Sequence, residues 1–202
     1  RGIFDYHAPI GAVGLVPLVT GIREPQRMLI GAHVSAAGGT FKAVARAEEI
    51  GAECFQIFAS SPRMWSAKPI PEKVAEKYKS EMERAGMGPT VLHGKYLIAL
   101  GSPDDELVAK SETALQADVA AANTLGALGV IFHPASHRGQ GFEAVVERFA
   151  ASVRKVLDNE PGDTLLMLET SAGAGDHIGS SFAELGTLIR AIGDDRVAVC
   201  LD

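Results

Sequence analysis

An α/β fold, in which about six strand–helix units make up most of an eight-stranded barrel, is what this sequence predicts, and three observations carry it. From Met28 onward, short apolar strands alternate with amphipathic helices. The strands are apolar on both faces, as a parallel sheet covered by helices requires. Nearly every strand also ends in a polar or charged side chain, and in such barrels function gathers at the C-terminal strand ends.

Leu29 to Val34 reads as the first strand. Thr40 to Ile50 follows as a helix, with Phe41, Val44, Ala45 and Ala47 at helical spacing and Gly51 closing it. Glu53 to Phe58 is the second strand, Glu72 to Ala85 the second helix, closed by Gly86, and Thr90 to Leu92 a short third strand. The third helix has Ser102 as its expected N-cap, Pro103 at the first position and Asp105 three residues after the cap. Its apolar stripe runs from Leu107 to Leu125, and Gly126 stands where a left-handed C-terminal cap belongs. Val130 to Phe132 and Thr164 to Leu168 are strands four and five, separated by a helix from Phe142 to Leu157. Ser181 to Ile192 is a helix that opens on a Ser181–Glu184 capping box, and Val197 to Leu201 is the sixth strand. A doubly wound open sheet also accommodates six such strands, but no GxGxxG follows the first one.

Bulk properties narrow the function. The chain has 202 residues, 47% of them hydrophobic, enough for a sizeable core. Its formal net charge of −6 argues against holding nucleic acid by bulk electrostatics alone. It leaves DNA binding open, because metal-binding carboxylates count as negative until the ion arrives. Cys54 and Cys200 form no CxxC pair and read as buried thiols of a reducing, cytoplasmic setting. Ala8 to Ile22 is the longest apolar run, but Pro9 and Pro17 break it, so neither a membrane span nor a secretory signal is expected. Residues 1–27 are expected to be an N-terminal extension outside the fold, with 28–202 forming the partial barrel, which stops before it can close.

His33, His93, His133, Glu169 and Asp202 are the strand-end residues. Singly, each reads better as a structural histidine or a loop contact than as a ligand. Together they converge, because parallel strands of a barrel point their C-terminal ends at one mouth. Imidazoles and carboxylates gathered there suit zinc or another first-row divalent ion, and without one the buried carboxylates would be costly. The loop after the second strand carries Arg63 and Trp65, either a solvated charge and a packing residue or side chains that enter a nucleic-acid stack. The loop after the third strand carries Tyr96 and Leu97, a pair suited to insertion between bases.

Four motifs then resemble the endonuclease IV family of abasic-site endonucleases, in its order and near its spacing. They are Gly31-Ala32-His33-Val34-Ser35-Ala36-Ala37-Gly38-Gly39, Phe132-His133-Pro134-Ala135-Ser136-His137, Leu168-Glu169-Thr170-Ser171-Ala172-Gly173 and Val199-Cys200-Leu201-Asp202. The resemblance implies a TIM (β/α)8 barrel with three zinc ions in its mouth, of which this chain would hold one full site and part of a second. His93, His133 and Glu169 would bind the first zinc. Glu169 would also bridge to the second, for which Asp202 would be another ligand, and would be the catalytic carboxylate that orients the nucleophile. Arg63, Tyr96 and Leu97 would enter double-stranded DNA at the abasic site, with His33 lining the mouth and His137 placed behind it. The implied reaction is base-excision-repair hydrolysis of the phosphodiester 5′ to the lesion through a zinc-activated hydroxide, leaving a 3′-hydroxyl, performed by a monomer.

The chain departs from the family's third-strand motif, His-Asp-Ser-Tyr-Leu-Ile-Asn-Leu, at Gly94, Lys95 and Ala99. Loss of the Asp is expected to loosen that loop, and Lys95 to add a phosphate contact. His177 is expected on a loop. The family motif continues past Asp202, and later strands supply further ligands. Two rival readings remain: a metal-dependent sugar isomerase or epimerase on a related barrel, and a non-catalytic remnant.

Overall fold

The computed structural model describes residues 28–173 and 175–202, so the expectation for residues 1–27 lies outside the described residues. Eleven elements alternate in it. The strands are β1 (Gly31–His33), β2 (Cys54–Ile57), β3 (Thr90–His93), β4 (Gly129–Phe132), β5 (Leu165–Glu169) and β6 (Val197–Cys200). The helices between them are α1 (Phe41–Glu49), α2 (Glu72–Ala85), α3 (Asp105–Leu125), α4 (Phe142–Asn159) and α5 (Phe182–Ile192).

The six strands form one parallel sheet in the order β1-β2-β3-β4-β5-β6. Consecutive order decides between the two topologies left open by the pattern. A doubly wound sheet reverses its order at a switch point, whereas a barrel adds each strand to the same edge. The helices pack in the same succession, each against the next around the outside. The architecture is an incomplete α/β barrel.

The period of two along a strand gives the sheet two faces. Ile57, Leu92, Val130, Phe132, Leu166 and Leu168 are fully buried on the helix side, where they meet Val44, Leu115, Phe149, Leu157 and Leu188 in one core. The alternate positions, Gln56, Val91, Ile131 and Met167, face the barrel interior. That same face carries His33, Phe58, His93, His133 and Glu169 at the C-terminal strand ends, because each lies an even number of residues along its strand or in register with one that does. All three residues of β1 are exposed, and β6 is only partly covered.

Most element ends fall within a residue or two of the sequence pattern, and α2 matches at both ends. The cap of α3 is a correction: its N-cap is Asp104, not Ser102. Asp104 Oδ1 accepts from the N–H groups of Glu106 and Leu107 at 3.0 and 3.1 Å. Ser102 instead turns the chain into the helix, its Oγ accepting from Asp104 N at 3.2 Å. The carboxylate satisfies two first-turn donors where the hydroxyl would satisfy one. In α5, Ser181 does cap Glu184 N, at 3.2 Å. The Glu184 carboxylate reaches past it to Gly179 N and Ser180 N, at 2.9 and 3.0 Å, so the box is half made and its other half braces the preceding loop. Both cysteines are free and half-buried rather than buried. No helix among the described residues is long and apolar enough to cross a membrane.

Candidate metal centre

Three neighbouring strands place three ligand atoms at one point. His93 ends β3, His133 follows β4 and Glu169 ends β5, and their ligand atoms all lie within 4.8 Å of one another. Glu169 Oε2 is 3.3 Å from His93 Nε2 and 3.4 Å from His133 Nε2. His93 and Glu169 are buried, while the His133 side chain is 45% exposed, so the group sits at the floor of the mouth and opens on one side.

The hydrogen bonds around this group fix which atoms face inward. His93 Nδ1 lies 2.7 Å from the Gly94 carbonyl, which can only accept, so Nδ1 carries the proton. The Nε2 lone pair of a neutral His93 therefore points at Glu169. Glu169 Oε2 is buried and makes no hydrogen bond. A buried carboxylate oxygen without a donor is costly. Three ligand atoms converging on one point are what a divalent cation binds. Two imidazoles and one carboxylate match the donor set of an open zinc site with room for water or substrate, and the residues present fit such an ion.

Aromatic rings wall the centre. The His93 ring lies 5.3 Å from that of His133, 5.1 Å from Phe58 and 5.4 Å from Tyr96. Tyr96 also lies 6.2 Å from the His133 ring, and the residue is 54% exposed, so it stands over the ligands at the rim. Leu97 beside it is half-buried, and Arg63 is exposed. The two loops that carry these residues are joined by one backbone bond, Tyr96 N to the Pro62 carbonyl at 3.1 Å. Trp65 is 37% exposed and lines, with Tyr96, Leu97 and His133, a cleft of about 520 Å³. A second cleft of about 600 Å³ opens on the other side of the centre, past His33 and Phe58.

The remaining expected residues fall outside the ligand group. His33 is exposed, its Nδ1 2.6 Å from Gln56 Oε1, and its ring is 6.4 Å from that of His93. Asp202 is exposed and held by its backbone: its N–H donates to Thr170 Oγ1 at 2.9 Å. His137 accepts from Gly141 N at 3.2 Å within the β4–α4 loop. His177 lies on the β5–α5 loop, where it makes an isolated bridge to Ser136.

Lys95 is a correction. It makes no outward phosphate contact; its side chain is 1% exposed and its ammonium lies 2.5 Å from Asp118 Oδ1. With Gly94 in place of an Asp, the loop is held from beneath by this pair rather than left loose. Burial pushes the Asp118 carboxyl above its usual range, against the opposing pull of Lys95. Burial likewise raises the Cys200 thiol, and the carboxylates of Glu169 and Asp202 add to the effect.

Sequence reasoning missed Phe58, Gln56, Lys68 and Arg138. Phe58 ends the second strand run as the histidines end theirs, and strand-end position would have found it. Lys68 and Arg138 are exposed cations lining the two clefts, and only tertiary structure brings them to the mouth.

Known proteins resemble this chain in sequence and fold. The sequence model of the xylose isomerase-like TIM barrel family matches residues 44–202. "Probable endonuclease 4" of Halorhodospira halophila is 40% identical over 176 residues, 86% of this chain and 59% of that protein. "Probable endonuclease 4" of Halothermothrix orenii is 38% identical, over 87% of this chain and 63% of that protein. The crystal structure of endonuclease IV from Thermus thermophilus superposes with a TM-score of 0.77 at 35% identity, covering 87% of this chain and 62% of that one. D-psicose 3-epimerase superposes with a TM-score of 0.67 at 12% identity, a likeness of fold alone. The chain thus spans about three fifths of the length of the curated relatives it matches.

Proposed function

This chain belongs to the xylose isomerase-like TIM barrel family and is similar to proteins named endonuclease 4, and we propose that it forms the front part of a zinc-dependent DNA repair endonuclease. Its substrate is double-stranded DNA with an abasic site. Its reaction is hydrolysis of the phosphodiester on the 5′ side of that site, and it acts as a cytoplasmic monomer. One observation carries the reading: three ligand atoms meet beside an exposed aromatic ring, Tyr96, whose loop is bonded to the loop of a cationic residue, Arg63.

His93, His133 and Glu169 would hold the first zinc, and Asp202, two residues past the position paired with Glu169, would donate to a second. Zinc bound there would supply Lewis acidity, the chemistry that activates water at neutral pH and offsets charge on a leaving oxygen. Glu169 orients the attacking water through its carboxylate. The oxygen of that water joins phosphorus, the P–O3′ bond breaks, and the departing oxygen takes a proton to become a 3′-hydroxyl. Tyr96 and Leu97 enter where the base is missing, the place at which unstacking costs least. Arg63 enters with them, while Lys68 and Arg138, which line the two clefts beside the centre, meet phosphates and supply a local positive field despite the net charge of −6.

The test is a duplex with one abasic site, incubated with the zinc-loaded protein. Scission 5′ to the lesion with a 3′-hydroxyl product, and none on the intact duplex, is the expected result. A zinc-loaded protein that leaves the lesion intact, yet epimerises a ketose, would overturn the nuclease reading in favour of the sugar epimerases that share the fold. Tyr96→Ala should lower scission by about 10- to 100-fold through lost stacking.

A further inference from the structure

The loop after β3 is anchored by a charge pair that the metal chemistry does not use. Lys95 stands two residues past His93, and its ammonium donates to Asp118 Oδ1 at 2.5 Å and to the Ala114 carbonyl at 3.4 Å. Its backbone N–H donates to the other oxygen of the same carboxylate, Asp118 Oδ2, at 3.3 Å. The two side chains are 1% and 5% exposed, and Asp118 lies well inside α3. Burying an ion pair this dry is often no better for stability than burying two apolar side chains. What it does supply is direction: two tethers, one from the side chain and one from the backbone, tie this loop to one carboxylate on a rigid helix.

The consequences run in both directions along the chain. Tyr96, the next residue, donates its N–H to Pro62, so the loop carrying Arg63 is tied to the same anchor. Gly94, the preceding residue, donates its N–H to the Ile131 carbonyl at 2.7 Å and accepts from His93 Nδ1. All three residues assigned to the wedge thus stand on one support.

We infer that Lys95 and Asp118 are a positioning pair that sets the height and spacing of Tyr96, Leu97 and the Arg63 loop over the His93–His133–Glu169 group. The identity of the ligand, a DNA lesion, rests on the nuclease reading above; the geometry does not. The pair acts through the loop and touches no substrate.

Trp65 makes a DNA-independent test available. It is the only tryptophan, and it lines the same cleft as Tyr96 and Leu97, so its fluorescence reports how the two loops close on each other. The Lys95→Met/Asp118→Leu double variant removes both charges and leaves neither buried alone. We expect it to keep the parent's circular dichroism and zinc affinity. We expect its Trp65 to become more accessible to acrylamide, and its preference for an abasic over an intact duplex to fall about tenfold, the worth of one poorly stacked base. Asp118→Glu, which keeps the charge, should restore part of both readouts. A folded double variant with unchanged Trp65 quenching and unchanged lesion preference would overturn the inference. If the double variant fails to fold, Asp118→Asn, which weakens the ion pair while keeping an acceptor for Lys95 N–H, is read by the same two measurements. A parent protein without lesion preference would count against the nuclease reading alone, because Trp65 quenching still decides the positioning role.

Discussion

At the scale of single residues, Glu169 governs the centre. Its Oε2 is the point shared by both imidazoles, and it lacks any hydrogen-bond donor. Glu169→Gln keeps the shape but removes the charge, so zinc affinity should fall by at least about 100-fold, measured by competition with a chromophoric chelator. Unchanged affinity would show that the ion is held elsewhere. Tyr78 offers a pH-dependent test away from the site. It donates to Thr90 Oγ1 at 2.6 Å, and burial pushes its phenol up to about 12, with the Thr90 bond opposing the shift. The folded value lies above the unfolded one of about 10, so this stabilisation is fully present below pH 10 and lost as pH rises through 12. The loss should amount to roughly 3 kcal/mol. Urea midpoints taken across that window should fall more steeply for the parent than for Tyr78→Phe. The five strand-end residues were legible as singular positions in the sequence, and three of them meet. Asp118 was not legible, because a mid-helix Asp on an alanine-rich stripe gives no sign of which loop it will meet.

At the scale of elements, the alternation of strands and helices could be read directly, since the periods of strand and helix are local properties of the chain. Ends were harder. Leu29 and Ile30 extend the apolar run before β1, but the ladder to β2 begins only at Gly31. Ladders are decided by the partner strand, which periodicity does not contain. The cap of α3 turned on which of Ser102 and Asp104 could reach two N–H groups, and Asp104→Ala should therefore cost about 1 kcal/mol in chemical denaturation. An equal loss in a helix-neutral surface control would argue against that role. Gly129 opens β4 where β5 passes closely: a Cβ there would lie 2.6 Å from the Leu165 carbonyl oxygen and 2.8 Å from Met167 Cε. Gly129→Ala should destabilise the protein by about 1–3 kcal/mol through overpacking. Because the two strands carry His133 and Glu169, it should also weaken zinc binding.

At the scale of the whole molecule, one ion would tie three strands together. Zinc held at about a thousandfold excess over its Kd should stabilise the protein by about 4 kcal/mol, seen as a rise in Tm that EDTA reverses and Glu169→Gln abolishes. A Tm indifferent to zinc would remove the centre from the folding balance. Among the described residues β1 and β6 each pair on one side only. Both are short, three and four residues, which limits edge-to-edge association, so sedimentation should show a monomer. Dimers at micromolar concentration would show that these edges pair. What the sequence determined by itself was the set of local patterns: the six β/α units, the polar strand ends, and the motifs that resemble one nuclease family. Tertiary structure decided the rest. It set the consecutive strand order that makes a barrel rather than a doubly wound sheet, and it brought His93, His133 and Glu169 within reach of one ion. It also turned Lys95 inward to Asp118 instead of outward to a phosphate. The physical reason is the same in each case: pairing, convergence and burial depend on residues far apart in the chain, and only packing brings them together.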